Sequence, residues 1–325
     1  YPNTINFLNK LAILKRSHSD SKVIAITGSS GKTTLKSMLG KTLSAYGKTY
    51  FSQKSYNNHI GVPFSLCNLE NNHQYSVFEI GMSNAGEIRK LSKLVKPNIA
   101  IITNIGEAHL ENFNNLNGIA KAKSEIIENI NKDGYLILNR EDRYFNYLSK
   151  FARKRKIKVL SFGKSNKSNA RLIKKKLYKN YSYLHFRVLN KNIYLKVKNV
   201  NPLTILNILF ILLTLQALGL NIIKVKNCSN YFQLAEGRGK EHLISRYKKK
   251  FQLIDESYNA NPSSVKNAIN NFSNLKRKKG RKFLLLGDML ELGKKSDNYH
   301  KNLAYFINRS DIDKLFVYGK NAFKT

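Results

Sequence analysis

Residues 23–46 read VIAITGSSGKTTLKSMLGKTLSAY, and their order decides the fold. Val23 to Thr27 is a short apolar, β-branched run that predicts a buried strand. TGSSGKTT at Thr27–Thr34 is a glycine-bearing turn, and a helical pattern runs on from Lys32 to Tyr46. Strand, loop and helix in that order form a phosphate-binding arrangement: glycines let backbone N–H groups close on the phosphates, and the helix N-terminus lies behind them. Gly28, Ser29, Ser30, Gly31, Lys32, Thr33 and Thr34 are therefore the candidate ATP-binding residues. Lys32 would reach the terminal phosphates, and the Thr33 hydroxyl is the expected Mg2+ ligand. The loop is shorter than the common GxxxxGK[ST] form, because position 26 is Ile and the nearest upstream glycine is Gly28.

Further buried strands are predicted at Ser76–Ile80, Ile99–Thr103 and Tyr135–Leu138, with helical patterns such as Ile119–Ile130 between them. Such alternation implies parallel strands joined by crossover helices, an α/β fold. From Tyr144 to Val200 the chain turns to Lys- and Tyr-rich short strands, YSYLHFRVL and NIYLKV, read as hairpins on the same domain. Leu203–Leu220 is apolar and near the length of a membrane span, but Thr204, Asn207, Thr214 and Gln216 interrupt it and lysines flank both sides. A helix buried between layers is the expectation. A second alternating unit starts near Phe251: strand FQLID, a helix after Pro262, strand FLLLGD, a helix over Tyr299–Asn308 and strand KLFVYG. It predicts a Rossmann-like domain, with Asn261 as N-cap before Pro262.

The chain has 325 residues, enough for about two domains. Its hydrophobic fraction of 42% can build a core and excludes a disordered chain. Lys+Arg 57 against Asp+Glu 20 gives +37, but the basic residues are spread along the whole sequence, so no specific nucleic-acid partner is expected. Cys67 and Cys228 lack metal-site spacing, and a reducing cytoplasm is expected. The sequence starts at Tyr1 without a signal peptide and stops at Thr325, after the third strand of the second unit; it reads as a fragment whose last domain is incomplete.

The shortened loop is similar to that of Mur ligases and folylpolyglutamate synthases, and the motifs that follow it favour the first. They are NNHIGVP (Asn57–Pro63), EIGMSNAGEI (Glu79–Ile88), TNIGEAHLE (Thr103–Glu111), AKAKSEI (Ala120–Ile126), DESYNANPSS (Asp255–Ser264) and GDMLELG (Gly287–Gly293). On these the chain is identified as a member of the Mur ligase family, resembling the branch that joins D-alanyl-D-alanine to UDP-MurNAc-tripeptide. The resemblance implies a cytoplasmic, monomeric, ATP- and Mg2+-dependent amide-bond-forming ligase of peptidoglycan precursor synthesis, and hence of cell wall biogenesis, cell shape and division. It also implies three domains. Residues 1–19 would be the trailing end of the N-terminal UDP-substrate domain, 20–237 the P-loop central ATPase domain, and 238–325 a truncated Rossmann-like ligase domain.

The site residues carry over one by one. Glu79, at a buried strand end, matches a Mg2+ ligand, in keeping with the preference of magnesium for oxygen. His109 matches a ligand of a second metal, and Lys123 the family lysine that becomes carbamylated and turns from cation to anion. Asn207 resembles the asparagine that contacts adenine, although Leu203 stands where the family has His and Asn201 where it has Gly. Arg238, in EGRGKEH, resembles an arginine that reaches the ATP phosphates. Asn57, Asn58, Asp255, Glu256, Tyr258, Asn259 and Asn261 are the expected substrate contacts, with Asp-Glu in place of the usual Asp-Asp. A sister Mur ligase or folylpolyglutamate synthase would share the loop but lack DESYNANP and GMSNAGEI. A nucleic-acid-dependent P-loop ATPase would suit the charge and would reveal itself by ATPase stimulated by DNA or RNA.

Overall fold

Lys22–Thr27 (β1) forms because an uninterrupted apolar run can be buried on both faces, as central parallel strands require. The computed structural model describes residues 3–325, apart from 53, 114, 180, 199, 233, 235, 248 and 276–279. By its internal contacts the chain divides into two units: residues 1–105 with 117–233, and residues 106–116 with 234–325.

In the first unit, helix α1 (Thr4–Ser17) precedes β1. It is followed by α2 (Lys32–Ser44), β2 (Thr49–Phe51), α3 (Gly61–Cys67), β3 (Tyr75–Glu79), α4 (Glu87–Val95), β4 (Ile99–Ile102) and α5 (Leu116–Ser124). Next come β5 (Tyr135–Asn139), α6 (Phe145–Lys154), β6 (Lys158–Phe162), β7 (Ala170–Leu177), β8 (Ser182–Val188), β9 (Lys191–Val197) and α7 (Pro202–Ala217). The strands make one nine-stranded sheet in the order β2-β3-β1-β4-β5-β6-β7-β8-β9. Pairing is parallel from β2 to β6, and β7 is reached through a single parallel pair, Phe162 with Ala170. The Lys- and Tyr-rich hairpins extend this same sheet antiparallel as β7-β8-β9. Their alternation is that of a half-buried sheet: Leu184, Phe186, Ile193 and Leu195 point inward, Tyr183, Arg187 and Tyr194 outward.

The sheet order reverses around β1, with β3 on one side and β4 on the other. The carboxyl ends of these three strands thus open one crevice, the place where open α/β sheets bind ligands. Helix α7 is buried, as its composition predicts, with Ile208–Leu215 in the core and Phe210 edge-on to Phe162. No helix among the described residues is long and apolar enough to cross a membrane. The first residues, read as the tail of a preceding domain, pack on α3 and α4, and the Arg16 guanidinium donates to the carbonyls of Val95 and Lys96.

The second unit contains β10 (Lys240–Arg246), β11 (Lys249–Asp255), α8 (Pro262–Ser273), β12 (Phe283–Gly287), α9 (Ser296–Asn308) and β13 (Lys314–Tyr318). FLLLG and KLFVY pair in parallel, as alternation predicts. The expected first strand, FQLID, behaves differently: it lies in β11 and pairs antiparallel with β10 in a separate ribbon. The sequence reading missed β10, whose exposure alternates with period two and which reaches β11 through a tight turn at Tyr247, φ 50°. Ile269, Leu286, Met289, Leu292, Leu303 and Ile307 form the core of this unit, and Leu110 packs against them. Residues 106–116 make their contacts with this unit.

Candidate functional site

The phosphate loop is held by backbone geometry that leaves room for no side chain at Gly28. Its φ is 146°, and a Cβ there would lie 1.8 Å from Thr103 Oγ1. Gly31 (φ 80°) opens α2 in the left-handed region that glycine tolerates. Two residues after β4 clamp the loop between these glycines. Thr103 Oγ1 donates to the Ser30 carbonyl (2.6 Å), Asn104 Nδ2 donates to Ser30 Oγ (2.8 Å), and the Ser29 and Ser30 amides donate to the Asn104 carbonyl and Oδ1. Lys32 Nζ donates to the Gly28 carbonyl at 2.8 Å, so the ammonium curls back over the loop it would share with a phosphate.

Glu79 ends β3 beside this loop and is 2% exposed. Its Oε2 accepts from Thr33 Oγ1 (2.8 Å) and its Oε1 from Asn57 Nδ2 (2.8 Å). Thr33 Oγ1 also lies 3.1 Å from Ser55 Oγ. Three residues placed in the site from the sequence are thus gathered from three separate segments. A carboxylate and a hydroxyl side by side are hard oxygen donors, the set that fits Mg2+.

Lys123 lies on α5 with 2% exposure, and no carboxylate pairs with it among the described residues. Burial, with the neighbouring Lys32 charge second, holds its ammonium well below the ordinary lysine range. Leu203, in place of the family His, approaches Gly31 at the mouth of α7, 3.9 Å from where a Cβ would stand. Asn201 caps α7 by accepting from the Thr204 amide. Asn207 is 2% exposed and its Nδ2 has no hydrogen-bond partner among the described residues, the state of a donor that a ligand would satisfy.

The remaining candidates, Asn58 apart, belong to the second unit. His109 sits at φ 57°, with Nδ1 2.6 Å from Glu291 Oε2, so its neighbour in this unit is the GDMLELG segment. Tyr299 Oη donates to Glu107, and the Glu111 amide to the Glu291 carbonyl, which seats the whole GEAHLE loop. The Arg238 guanidinium lies over the Tyr258 ring, 3.9 Å from its centroid. Burial, then the Asp255 charge, pushes the Glu256 carboxyl up, with Arg238 opposing; hydrogen bonds from Ser257 hold Asp255 down. Asn259 Oδ1 accepts from the Ala260 amide. Asn261 caps α8 in a reciprocal box with Ser264, and Asn58 accepts from the Gly61 amide at the start of α3. For Asn261 the structure shows a capping role.

Sequence reasoning missed Lys36, which is 1% exposed and lies 3.5 Å from Glu79 Oε2. A lysine among otherwise buried α2 positions was the available signal, since lysine is almost never buried unless paired. It also missed the clamping roles of Thr103 and Asn104.

The chain resembles known proteins over nearly its whole length. Residues 26–215 match the Mur ligase middle domain and residues 242–325 the Mur ligase glutamate ligase domain. The chain is 34% identical to the UDP-N-acetylmuramoyl-tripeptide–D-alanyl-D-alanine ligase of Rickettsia prowazekii, over 98% of this chain and 70% of that one. A crystal structure of MurF from Acinetobacter baumannii superposes with a TM-score of 0.90 at 31% identity, covering 99% of this chain and 69% of that one. MurF from Thermotoga maritima in complex with ADP gives 0.83 at 27% identity, covering 98% and 71%.

Proposed function

Because the chain belongs to the Mur ligase family, we propose that its site ligates D-alanyl-D-alanine to UDP-MurNAc-tripeptide at the expense of ATP. The observation that carries this reading is the network of Thr33, Glu79 and Asn57 at the carboxyl ends of the central strands, beside the clamped phosphate loop. Synthesis from ATP and a nucleotide-linked precursor assigns the enzyme to the cytoplasm.

The reaction has two steps. The terminal carboxylate of the tripeptide attacks the γ-phosphorus of ATP, forming an acyl phosphate while the bond to ADP breaks. The amine of D-alanyl-D-alanine then attacks the acyl carbon, loses its proton, and phosphate leaves as the amide forms. A free carboxylate is a poor electrophile, so activation is the essential contribution; no nucleophilic side chain is required. Lys32 and the amides of Gly28–Thr34 hold the phosphates, and Asn207 Nδ2 meets the adenine ring. Arg238 stabilises charge developing on the transferred group.

Thr33 and Glu79 are the proposed ligands of Mg2+, which neutralises phosphate charge when bound. Lys123 and His109 are proposed ligands of a second Mg2+. For Lys123 the support is burial: reaction of its amine with CO2, releasing a proton, yields a carbamate that can hold a cation where an unpaired ammonium is costly. A carboxylate at His109 Nδ1 favours the proton there, the tautomer in which Nε2 ligates. Asn57, Asn58, Asp255, Glu256, Tyr258, Asn259 and Asn261 are the proposed substrate contacts. ADP release with UDP-MurNAc-tripeptide, with and without D-alanyl-D-alanine, tests the proposal. Turnover stimulated by DNA or RNA, and indifferent to the muramoyl substrate, would overturn it.

A further inference from the structure

Lys36 lies one helical turn beyond Lys32 on α2, and nothing in the reaction above gives it a task. Its Nζ is 3.5 Å from Glu79 Oε2 and donates to the Lys54 carbonyl at 2.6 Å and to Ser52 Oγ at 3.1 Å. Lys36 and Ser52 are 1% and 3% exposed. A buried ion pair is weak evidence for stability, because desolvation of both charges offsets their attraction. What this pair does have is geometry. The segment after β2 is joined to the sheet by a strand of only three residues. That segment carries Ser55 and Asn57, which touch Thr33 and Glu79. One ammonium therefore ties the α2 helix, Ser52, Lys54 and the Glu79 carboxylate at a single point.

We propose that Lys36 is a positioning residue for divalent-cation binding: it fixes Glu79 Oε2 beside the Thr33 hydroxyl and anchors the segment that carries Asn57. The proposal rests on the reading of Glu79 as a Mg2+ ligand. It explains why a cation sits beside a carboxylate whose hydrogen bonds come from the neutral donors Thr33 and Asn57. The ammonium and the Thr33 hydroxyl meet the same oxygen, Oε2, while Asn57 holds Oε1.

The test measures ADP affinity by calorimetry on the full chain, with Mg2+ and with chelator, for the native protein, Glu79→Ala, Lys36→Met and Lys36→Gln. Lys36→Met should lose at least tenfold of the Mg2+-dependent gain in affinity, while its affinity in chelator stays within twofold of native. Lys36→Gln keeps a donor for Ser52 and Lys54 without the charge, and it carries the test if the methionine variant does not fold. Loss in Met with retention in Gln supports a tie made by hydrogen bonds, and loss in both supports one that needs the charge. If Glu79→Ala loses the gain while every folded Lys36 variant keeps it, the inference is overturned and the reading of Glu79 stands. If Glu79→Ala itself keeps the gain, that reading fails and the inference falls with it.

Discussion

Two carboxylate-bearing segments, Glu79 at the end of β3 and Asp255-Glu256 at the end of β11, meet their neighbours in opposite ways. Glu79 is reached by Thr33, Asn57 and Lys36, residues 22 to 46 positions distant along the chain. Asp255 accepts from Ser257, Asn259 from Ala260, and Asn261 from Ser264. Long-range partners hold a side chain in one orientation against the whole fold, whereas local ones shape the backbone and leave the side chain's outer face available. The difference suggests that the first region is a preassembled phosphate and metal site, while the DESYNANP motif chiefly sets the start of α8.

The largest effect expected under that comparison is at Lys32. Lys32→Ala should abolish ligation with the fold intact, because its ammonium lies over the loop, where it donates to the Gly28 carbonyl. ADP release and a melting curve together check this. A variant that keeps more than about a tenth of native turnover, roughly 1.4 kcal/mol of barrier, would break the contrast at its strongest point.

Lys123 should separate activity from stability. Lys123→Ala removes the proposed carbamate and should stop turnover, with partial recovery when short carboxylates occupy the vacated space. Lys123→Met should instead stabilise the CO2-free protein by about 1–3 kcal/mol, since an unpaired buried amine is replaced by an apolar chain of similar length. The sign with pH follows from the lowered pKa. Between the folded pKa and the unfolded value near 10.4 the unfolded chain binds more protons, so native stability rises with pH across that window. It is lost as pH falls toward the folded pKa, and the advantage of the variant should therefore shrink as pH rises. Melting at several pH values, with CO2 excluded, measures it; an advantage that grows with pH would sink the argument.

A steric change should come next. Gly28→Ala would place a Cβ within bonding range of Thr103 Oγ1, so the loop or its clamp must move. Gly86→Ala, where φ is 87° but nothing lies within 4 Å, meets only the backbone strain. Nucleotide binding should fall by more than tenfold in the first and stay near native in the second. Equal losses in the two would mean that the clamp by Thr103 and Asn104 does not matter.

How much of this was legible in the sequence depends on the range of the interaction that fixes each feature. The β1–α2 loop was readable because glycines, a strand and a helix start lie within a dozen residues. The buried character of α7 and the cap at Asn261 were readable for the same reason. The partner of Lys36 lies 43 positions away, and no local rule distinguishes a lysine that will meet Glu79 from one that will face solvent. Leu110 and Glu107 find their contacts beyond residue 260, a separation that no local pattern encodes. Strand β10 was missed because its exposed side chains read as linker, and only its pairing with β11 makes it a strand.

The smallest predicted effect is the sharpest test of the contrast between the two carboxylate regions, because it asks whether a family asparagine contacts the substrate or only caps a helix. Asn261 Oδ1 accepts from the Ser264 amide at 2.9 Å, and Ser264 Oγ answers from the Asn261 amide at 3.0 Å. Asn261→Ala should cost about 1 kcal/mol through the lost cap. Asn261→Ser should restore that stability, since serine caps nearly as well as asparagine, but it is too short to keep any further amide contact. If capping is the whole role, turnover and KM for D-alanyl-D-alanine in Asn261→Ser return to native along with the melting temperature. If Asn261 also touches substrate, stability returns while KM stays raised, and the contrast between a preassembled first region and a backbone-shaping second one would have to be given up at this residue.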